Sequence, residues 1–516
     1  MRFSSPLFKF SNSEILFAVL AWSLLILRFG YRFGTGDQVE LLPYTLFLHD
    51  PTLYPHDFFM QGLSSTVPNE RTVMAHLLLP FVNHLEICCF IFQFLTTFVL
   101  VLGLTKLAHQ FIHNKYLAGL SVLVAMIPLN DFALGNVELY SECFQASAVA
   151  VAIIVWAILL FLHRRFVLAS VLLSVASFIQ VLEGLDVMIV MSVILLVMLL
   201  TKDIGRKTFL IFISIYALTA GIFLLVIFIG KQGNTVITGE QLFQILFVFR
   251  HPHHFIFSSF PKIKMIVFFL LTLVSLYYYS QHSSKVFEFM MVGMMGVIFY
   301  AFAVDDFHNI FIANFQFYKV TQWMKFLGVV AAFCLLEQYL ATKMHLLNKV
   351  PMEKVSLVAV SLLCWIIVIR FNDHLPYKVP FQLFGMKEKD DMIAICEKIR
   401  EVTPKDALFM QPFDNTELKF YGQRSSFVEF KANVRNKKFT NDWYDRIHNI
   451  YGLSVNDAEK GFAMKDKADA NYYNANQWAF SSRREFGITH MLVDKRYKPP
   501  FGSLILENNS YAVYKL

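Results

Sequence analysis

Side chains that could carry acid–base chemistry are concentrated near the start of the chain, in residues 36–59, which read GDQVELLPYTLFLHDPTLYPHDFF. Asp37 follows the first long apolar run, where a carboxylate base could face a water-filled cleft. It could equally cap the helix that follows, because aspartate is a favoured N-cap residue. Asp57 could serve as a second catalytic carboxylate, or as a turn residue after Pro55. The apolar residues interleaved with these groups predict a segment on a membrane surface, forming the floor of an active site.

Two later polar segments hold further candidate residues. Residues 250–254 read RHPHH, and this guanidinium with its three imidazoles could bind a phosphate or a metal ion, or form a plain loop. Glu138 and Glu142 lie four residues apart in NDFALGNVELYSE. They would share one face if this loop were helical, and they are either substrate-binding groups or a solvated loop face.

Acidic residues also lie beside apolar segments. Glu183 and Asp186 fall between two short apolar runs, in or near the membrane, where an ionisable group is costly and by default indicates function. A simple hairpin turn is the alternative. Asp305 and Asp306, followed by His308, could hold a divalent metal ion or cap the next helix.

The composition places these groups in a polytopic membrane protein. Of 516 residues, 56% are hydrophobic and 16% are charged, with a mean hydropathy of +0.51. Soluble domains have about 45–50% apolar and about 25% charged residues. The net charge of +7 does not indicate a nucleic-acid partner, because the excess lysine and arginine is assigned to one side of a bilayer.

Apolar runs predict about eleven transmembrane helices, since backbone groups in lipid must be paired within the segment. The long runs are 13–31, 85–107, 143–162, 208–229, 263–279, 286–304, 321–341 and 355–371, and the short ones are 116–129, 166–182 and 187–200. The predicted transmembrane domain is 1–371, with outer loops 32–84, 130–142, 230–262 and 305–320.

The charges in the short loops predict a cytoplasmic N-terminus and, with an odd number of spans, an extracytoplasmic tail. Residues 372–516 have the composition of a soluble domain. A helix is predicted over 387–401 and short strands over 407–410, 490–493 and 511–514, which together indicate a small α/β domain.

The chain has an acidic residue in the predicted first outer loop, then a predicted membrane-surface helix, and it ends in a predicted soluble outer domain. This layout is similar to that of the GT-C superfamily of polytopic glycosyltransferases. More narrowly, GDQVELLP, DPTLYPHDFF, RHPHHF and the tail resemble a group of bacterial membrane proteins with a GT-C-like architecture. Only Asp37 matches the superfamily's acidic first-loop position, and Gln38 follows it where the superfamily often has a second acid.

The resemblance implies transfer of a sugar from a polyprenyl-phosphate donor to an extracytoplasmic acceptor at the cell envelope. A carboxylate would remove a proton from the acceptor hydroxyl. The departing lipid phosphate would need cationic support, for which Arg250, His253 and His254 are the candidates, with Lys319 behind them. The resemblance also implies a multi-pass protein of the bacterial inner membrane with a periplasmic tail.

Two other classes of function stay open. A transporter or flippase of similar size would use buried carboxylates such as Glu183 and Asp186 to carry protons or ions. A non-catalytic scaffold would keep the fold without the chemistry. The long polar first loop and the outer tail favour the enzyme.

The loop charges generate a test of topology. We expect a reporter that is active only outside the cytoplasm to be active when fused after Leu516, because the basic loops lie on the opposite side. A reporter that works only in the cytoplasm is the control, and its activity at the same position would contradict the predicted orientation.

Overall fold

The structure, a computed structural model, describes residues 8–230, 237–347, 390–474 and 486–516, with side chains described outside 230 and 344–347. The chain folds into two compact units. The first unit comprises Met1–Arg32, Cys89–Phe223 and His253–Gln382. The second comprises Phe33–Cys88, Leu224–Pro252 and Leu383–Leu516, so it joins residues 33–88, most of which lie in the predicted first outer loop, to the C-terminal residues. The predicted domain boundary at 371/372 lies outside the described residues and stays a prediction.

The described α-helices, in chain order, are α1 Asn12–Phe29, α2 Gln38–His49, α3 Phe58–Ser64, α4 Thr72–Leu78, α5 Leu85–Ala108, α6 Lys115–Met126, α7 Ala146–Leu162, α8 Phe166–Ile179, α9 Val181–Leu200, α10 Arg206–Tyr216, α11 Ile222–Gly230, α12 Gly239–Phe243, α13 Pro252–Phe255, α14 Lys262–His282, α15 Ser284–Asp305, α16 Ile310–Ala313, α17 Thr321–Leu347, α18 Asp391–Val402, α19 Lys437–Tyr451 and α20 Lys465–Asn474. Short 3₁₀ segments cover Leu79–His84, Phe257–Ser259, Phe317–Val320 and Gly461–Met464, and π segments cover Ala217–Gly221, Gln244–Arg250 and Leu418–Gly422.

By length and composition, this is a multi-pass membrane protein. Seven described helical segments are long and apolar enough to cross a bilayer: Asn12–Phe29, Thr72–Ala108, Val181–Leu200, Arg206–Ile229, Lys262–His282, Ser284–Asp305 and Ile310–Lys343. The shorter helices α6, α7 and α8 are also apolar. The predicted run 355–371 lies outside the described residues, and the count of about eleven spans stays a prediction. α9 begins at Val181, ahead of the predicted run, so Glu183 and Asp186 are helical and not part of a hairpin turn.

The first unit is built by helices that pack side by side, with α7 against α8 and α14 against α17. Its helices begin where the sequence supplies capping groups. The Ser11 hydroxyl accepts a hydrogen bond from the Glu14 backbone N–H, and the Glu14 carboxylate accepts from the Ser11 N–H, which forms a capping box at the start of α1. The Asn114 side chain caps α6 by accepting from backbone N–H groups of its first turn.

The second unit contains a mixed five-stranded sheet in the order β2-β1-β3-β5-β4. Its strands are β1 Leu408–Met410, β2 Ser425–Ser426, β3 His490–Asp494, β4 Ser503–Glu507 and β5 Tyr511–Lys515. β1 pairs in parallel with β2 and β3, whereas β5 pairs antiparallel with β3 and β4. The three predicted strands are confirmed, and β2 and β4 were missed because one is two residues long and the other is largely exposed.

Helix α18 covers one part of this sheet and confirms the helix predicted over 387–401 from Asp391 onward. The Asp390 side chain caps it, and it ends at Thr403, directly before Pro404. Its apolar face packs with Phe409, Leu492 and Val513 of the strands in one core. The other members of this core are Met392, Ile393, Ile395, Cys396, Ile399, Ala407, Leu418 and Tyr421.

Helix α19 packs against the first outer loop within the same unit. The Phe439 ring stacks on Phe58 with centroids 4.2 Å apart. A Cβ added at Gly62 in α3 would lie 2.5 Å from two Phe439 ring atoms. Glycine at this position therefore allows α3 and α19 to approach closely.

This close approach generates a stability prediction. We expect Gly62→Ala to lower the melting temperature of the purified protein, because overpacking against a stacked ring costs about 1–3 kcal/mol. The gain in helix propensity, about 1 kcal/mol, offsets part of that cost. Gly205→Ala is the control, since a Cβ there meets nothing within 4 Å. Equal melting temperatures for Gly62→Ala and the wild type would contradict this packing.

Candidate functional site

Asp37 stands at the N-terminal end of α2 with an exposed side chain. Its carboxylate receives no capping hydrogen bond from the helix. The loop before it is held instead by Gln38, whose Oε1 accepts a 2.7 Å hydrogen bond from the Gly34 N–H. Asp37 is thus the N-cap residue of α2 by position, but its side chain makes no capping hydrogen bond, and its carboxylate is available to solvent.

A buried ion pair lies one turn along α2 from Asp37. The Arg71 guanidinium donates to Glu40 Oε2 from Nε at 2.8 Å and also from Nη2. Burial alone would lower the pKa of Arg71, but the charges of Glu40 and Glu70, and more weakly Asp37, raise it. Arg71 thus joins α2 to α4 through Glu40. Its guanidinium stays positively charged and interacts electrostatically with Asp37.

Basic residues approach the Asp37 loop from other parts of the second unit. Lys431 Nζ donates to the Gly36 carbonyl at 2.5 Å. Arg250 donates to the main chain beside Lys431, from Nε to the Phe430 carbonyl at 3.4 Å and from Nη2 to the Lys431 carbonyl. Its guanidinium lies 5.7 Å from the Trp443 ring centroid, and burial lowers its pKa to about 9. The structure thus links Arg250 to the loop before Asp37 through Lys431, which the sequence did not single out.

The other predicted substrate residues make their described contacts within the first unit. His254 Nδ1 lies 2.8 Å from the Gly135 carbonyl oxygen, and the His253 ring lies 4.3 Å from that of His254. Lys319 donates to Glu183 Oε1 at 2.7 Å. Their role in binding a substrate stays a prediction.

The loop 130–142 is not helical, so Glu138 and Glu142 do not share a helical face. Asn130 Nδ2 donates to Glu138 at 3.3 Å, and Glu142 lies 3.7 Å from Arg32. Burial, with the neighbouring charge of Glu142, raises the pKa of Glu138 to about 7. Glu138 can therefore exchange a proton near neutral pH, while its predicted contact with a substrate stays a prediction.

Asp57 is fully buried at the start of α3. Its carboxylate accepts hydrogen bonds from the Met60 N–H at 2.9 Å and the Ser426 N–H at 2.8 Å. Lys419 Nζ lies 3.5 Å from it and 2.7 Å from Glu429. These contacts give Asp57 a structural role in fastening the first outer loop to the C-terminal residues, and its catalytic role stays a prediction.

Lys419 and Glu429 were missed by sequence reasoning. Lys419 lies between Leu418 and Phe420, and Glu429 lies in a similar apolar setting. A lysine and a glutamate in two nearby apolar runs could have indicated a buried ion pair. Nothing in the sequence, however, indicates that Lys419 and Glu429 contact Asp57. Burial, with the charge of Asp57, raises the pKa of Glu429 to about 7 against the opposing effect of Lys419.

A cavity of ≈ 410 Å³ opens near the C-terminal end of α2 within the second unit. Its lining is predominantly polar and basic: Leu46, His49, Asp50, Leu53, Val82, Asn83, Arg400, Lys405, Gln423 and Arg424. The twelve residues of α2 span about 18 Å, which separates this cavity from Asp37. It is therefore not the site that the first-loop carboxylate would serve.

For Asp305, the sequence left a divalent metal site and a cap of the next helix as alternatives. Its carboxylate accepts hydrogen bonds from the backbone N–H groups of Phe257 and Ser258, at 3.1 and 3.2 Å. Asp305 thus fastens the turn 257–259 and does not cap the following helix. Within the described ranges, no group of three or more histidine, cysteine, aspartate or glutamate side chains could hold a metal ion.

Comparison with known proteins gives two findings. Residues 390–450 match a family described as a domain of unknown function, DUF6798. The chain is also similar to the archaeal oligosaccharyltransferase AglB from Archaeoglobus fulgidus, solved with an inhibitory peptide and a dolichol-phosphate. That similarity has 12% identity and a TM-score of 0.45, and covers 94% of this chain and 69% of AglB. None of the curated proteins matches the chain.

At this identity and TM-score, the superposition carries no argument about fold or chemistry. The functional proposal therefore rests on the chain's own residues.

The buried Asp57–Lys419–Glu429 cluster predicts a specific pH dependence. Because the pKa of Glu429 is raised from 4.5 to about 7, the folded protein retains a proton that the unfolded chain loses, and Glu429 destabilises the fold progressively as pH rises from about 4.5 to about 7. We expect the melting temperature of Glu429→Gln, relative to the wild type, to increase across this range. Thermal unfolding of the purified full-length protein at a series of pH values measures it.

The exposed Glu507 supplies the matched control. Glu507→Gln removes a glutamate outside the buried cluster, so its melting temperature relative to the wild type should not show this increase. A constant offset between Glu429→Gln and the wild type across this range would contradict the buried proton at Glu429.

Proposed function

We propose that this chain is a membrane glycosyltransferase that moves a sugar from a polyprenyl-phosphate donor to an extracytoplasmic acceptor, with Asp37 as the general base. The observation that carries the proposal is the exposed carboxylate of Asp37, which makes no capping bond although it precedes a helix. An aspartate that does not cap its helix keeps its oxygens available for a proton-bearing ligand.

The surroundings of Asp37 suit a base with a defined position. Buried Glu40 and half-buried Arg71 fix α2 against α4, and the Gln38 side chain holds the preceding loop. Catalytic groups need such support, because a displacement of about 1 Å can cost about 10²-fold in rate. The site therefore combines an accessible carboxylate with a backbone that the second unit positions.

Nearby cations can stabilise the departing phosphate. Lys431 uses one of its three N–H donors on the Gly36 carbonyl, which leaves two for a ligand. Arg250 adds positive charge beside it but uses Nε and Nη2 on backbone carbonyls. We assign the direct phosphate contact to Lys431 and a supporting electrostatic role to Arg250, because charge-assisted hydrogen bonds are the stronger interaction.

The proposed reaction is a single displacement at the anomeric carbon. Asp37 accepts the proton of the acceptor hydroxyl as its oxygen forms the new glycosidic bond. The bond from the anomeric carbon to the donor phosphate oxygen breaks, and the lipid phosphate leaves with that electron pair, which inverts the anomeric centre. The proposal places this protein in the bacterial inner membrane, with the site on the extracytoplasmic side.

The proposed base is tested by Asp37→Asn. We expect sugar transfer from a polyprenyl-phosphate donor to fall by about 10²–10⁴-fold, because asparagine cannot accept the proton. The melting temperature should stay unchanged, since the Asp37 side chain makes no capping bond that the variant could lose. The measurements are transfer rate and thermal unfolding of the same preparation.

Asp406→Asn is the matched control, because Asp406 is another exposed aspartate of the second unit. It should retain the wild-type rate. Full activity in Asp37→Asn would overturn the assignment of the base and would favour the transporter or scaffold alternatives.

A further inference from the structure

We propose that Asp186, together with Glu183 and Gln322, forms a binding site for one alkali metal cation inside the first unit. The site is independent of the proposed sugar transfer. It rests on an excess of hydrogen-bond acceptors and negative charge in a place that water does not reach.

Helix α9 supplies two carboxylates from one face. Glu183 and Asp186 are three residues apart, a spacing that brings side chains together on a helix. They are 3% and 0% exposed, respectively. Both lie in the first two turns of a segment that is long and apolar enough to cross a membrane. Ionisable groups in such a segment are expensive and indicate function by default.

Glu183 has two fixed partners. Lys319 Nζ donates to its Oε1 at 2.7 Å, and Gln322 Nε2 donates to its Oε2 at 2.7 Å. The second bond fixes the orientation of the Gln322 amide, because the reverse orientation would set Oε1 against a carboxylate oxygen. Gln322 is itself fully buried, and its Oε1 has no hydrogen-bond partner in the described part of the chain.

Asp186 lacks such partners. Among the residues that the structure describes, neither of its carboxylate oxygens has a hydrogen-bond partner, although the side chain is fully buried. Buried polar groups in proteins are nearly always hydrogen-bonded, so each exception needs an explanation. Three buried acceptor oxygens, two on Asp186 and one on Gln322, therefore remain to be satisfied beside the Glu183 carboxylate.

The charges around Asp186 define the missing ligand. The groups whose fields reach it are Glu183 on α9, Lys319 on the segment Phe317–Val320 and the Tyr216 hydroxyl on α10. Helix α8 contributes the Ser177 hydroxyl, 2.7 Å from that of Tyr216. Two carboxylates and one ammonium leave one negative charge in excess. A monovalent cation neutralises it, whereas a divalent cation would leave a positive charge.

The number of unsatisfied oxygens favours a metal ion over a proton. A proton on Asp186 would supply one donor to one acceptor and leave another oxygen unsatisfied. An alkali ion can contact several oxygens at once, and hard cations prefer carboxylate and amide oxygens. One alkali ion would then contact the unpaired oxygens of Asp186 and Gln322 and also neutralise the excess negative charge.

Thermal unfolding of the full-length protein tests this site. At constant ionic strength and pH, we expect sodium or potassium chloride to raise the wild-type melting temperature above its value in choline chloride. The rise should follow the concentration dependence of binding to the native state. In Asp186→Asn the rise should be lost, because the neutral amide removes the excess charge.

Two further variants complete the test. Asp306→Asn, a change at an exposed aspartate of the first unit, should respond like the wild type. Gln322→Met should need a higher cation concentration for the same shift, and it replaces Asp186→Asn if that variant does not fold.

Absence of a cation-specific shift in the wild type would overturn the proposal without any variant. An undiminished shift in Asp186→Asn would place the cation elsewhere and also overturn it. A wild-type response to pH but not to sodium or potassium would show that a proton neutralises Asp186, and this too would reject the metal site.

Discussion

The second unit depends on one buried ammonium group. Lys419 lies between the carboxylates of Asp57 and Glu429, and all three are almost completely buried. Removing one partner of a buried ion pair typically costs about 3–5 kcal/mol, because the remaining charge is left uncompensated. The first outer loop is thereby fastened to a sheet domain that comes hundreds of residues later in the chain. The same connection positions α2, and with it the carboxylate proposed as the base.

Asp37 and Asp57 show how environment separates two carboxylates of one loop. Asp57 receives two backbone N–H donors and an ammonium, so its oxygens are engaged in holding the structure. Asp37 receives no capping donor and faces solvent. A general base must exchange a proton with a ligand, and only the solvent-exposed carboxylate of Asp37 gives a ligand ready access. The chemistry proposed for this loop therefore belongs to Asp37, with Asp57 as its support.

Residues that the sequence grouped in one motif make their described contacts in different parts of the chain. The sequence singled out residues 250–254 as one anion-binding motif, but Arg250 contacts carbonyls in the second unit while His254 contacts Gly135 in the first. Lys431, which contacts the loop of Asp37, carried no sequence signal because lysine is common on protein surfaces. Residues that are adjacent in sequence can have hydrogen-bond partners in different parts of the chain. Those partners depend on how the chain packs, which the motif does not show.

The membrane class, the long helices within the described residues and the α/β character of the tail follow from local patterns in the sequence. Hydropathy, capping residues and periodicity are local properties, so a short window is enough to express them. Packing brings Asp57 to Lys419, 362 residues away, and leaves both oxygens of Asp186 without a hydrogen-bond partner among the described residues. Charge pairing depends on distance in space and on burial. Neither quantity is encoded in the spacing of residues along the chain, because both arise only when distant segments pack.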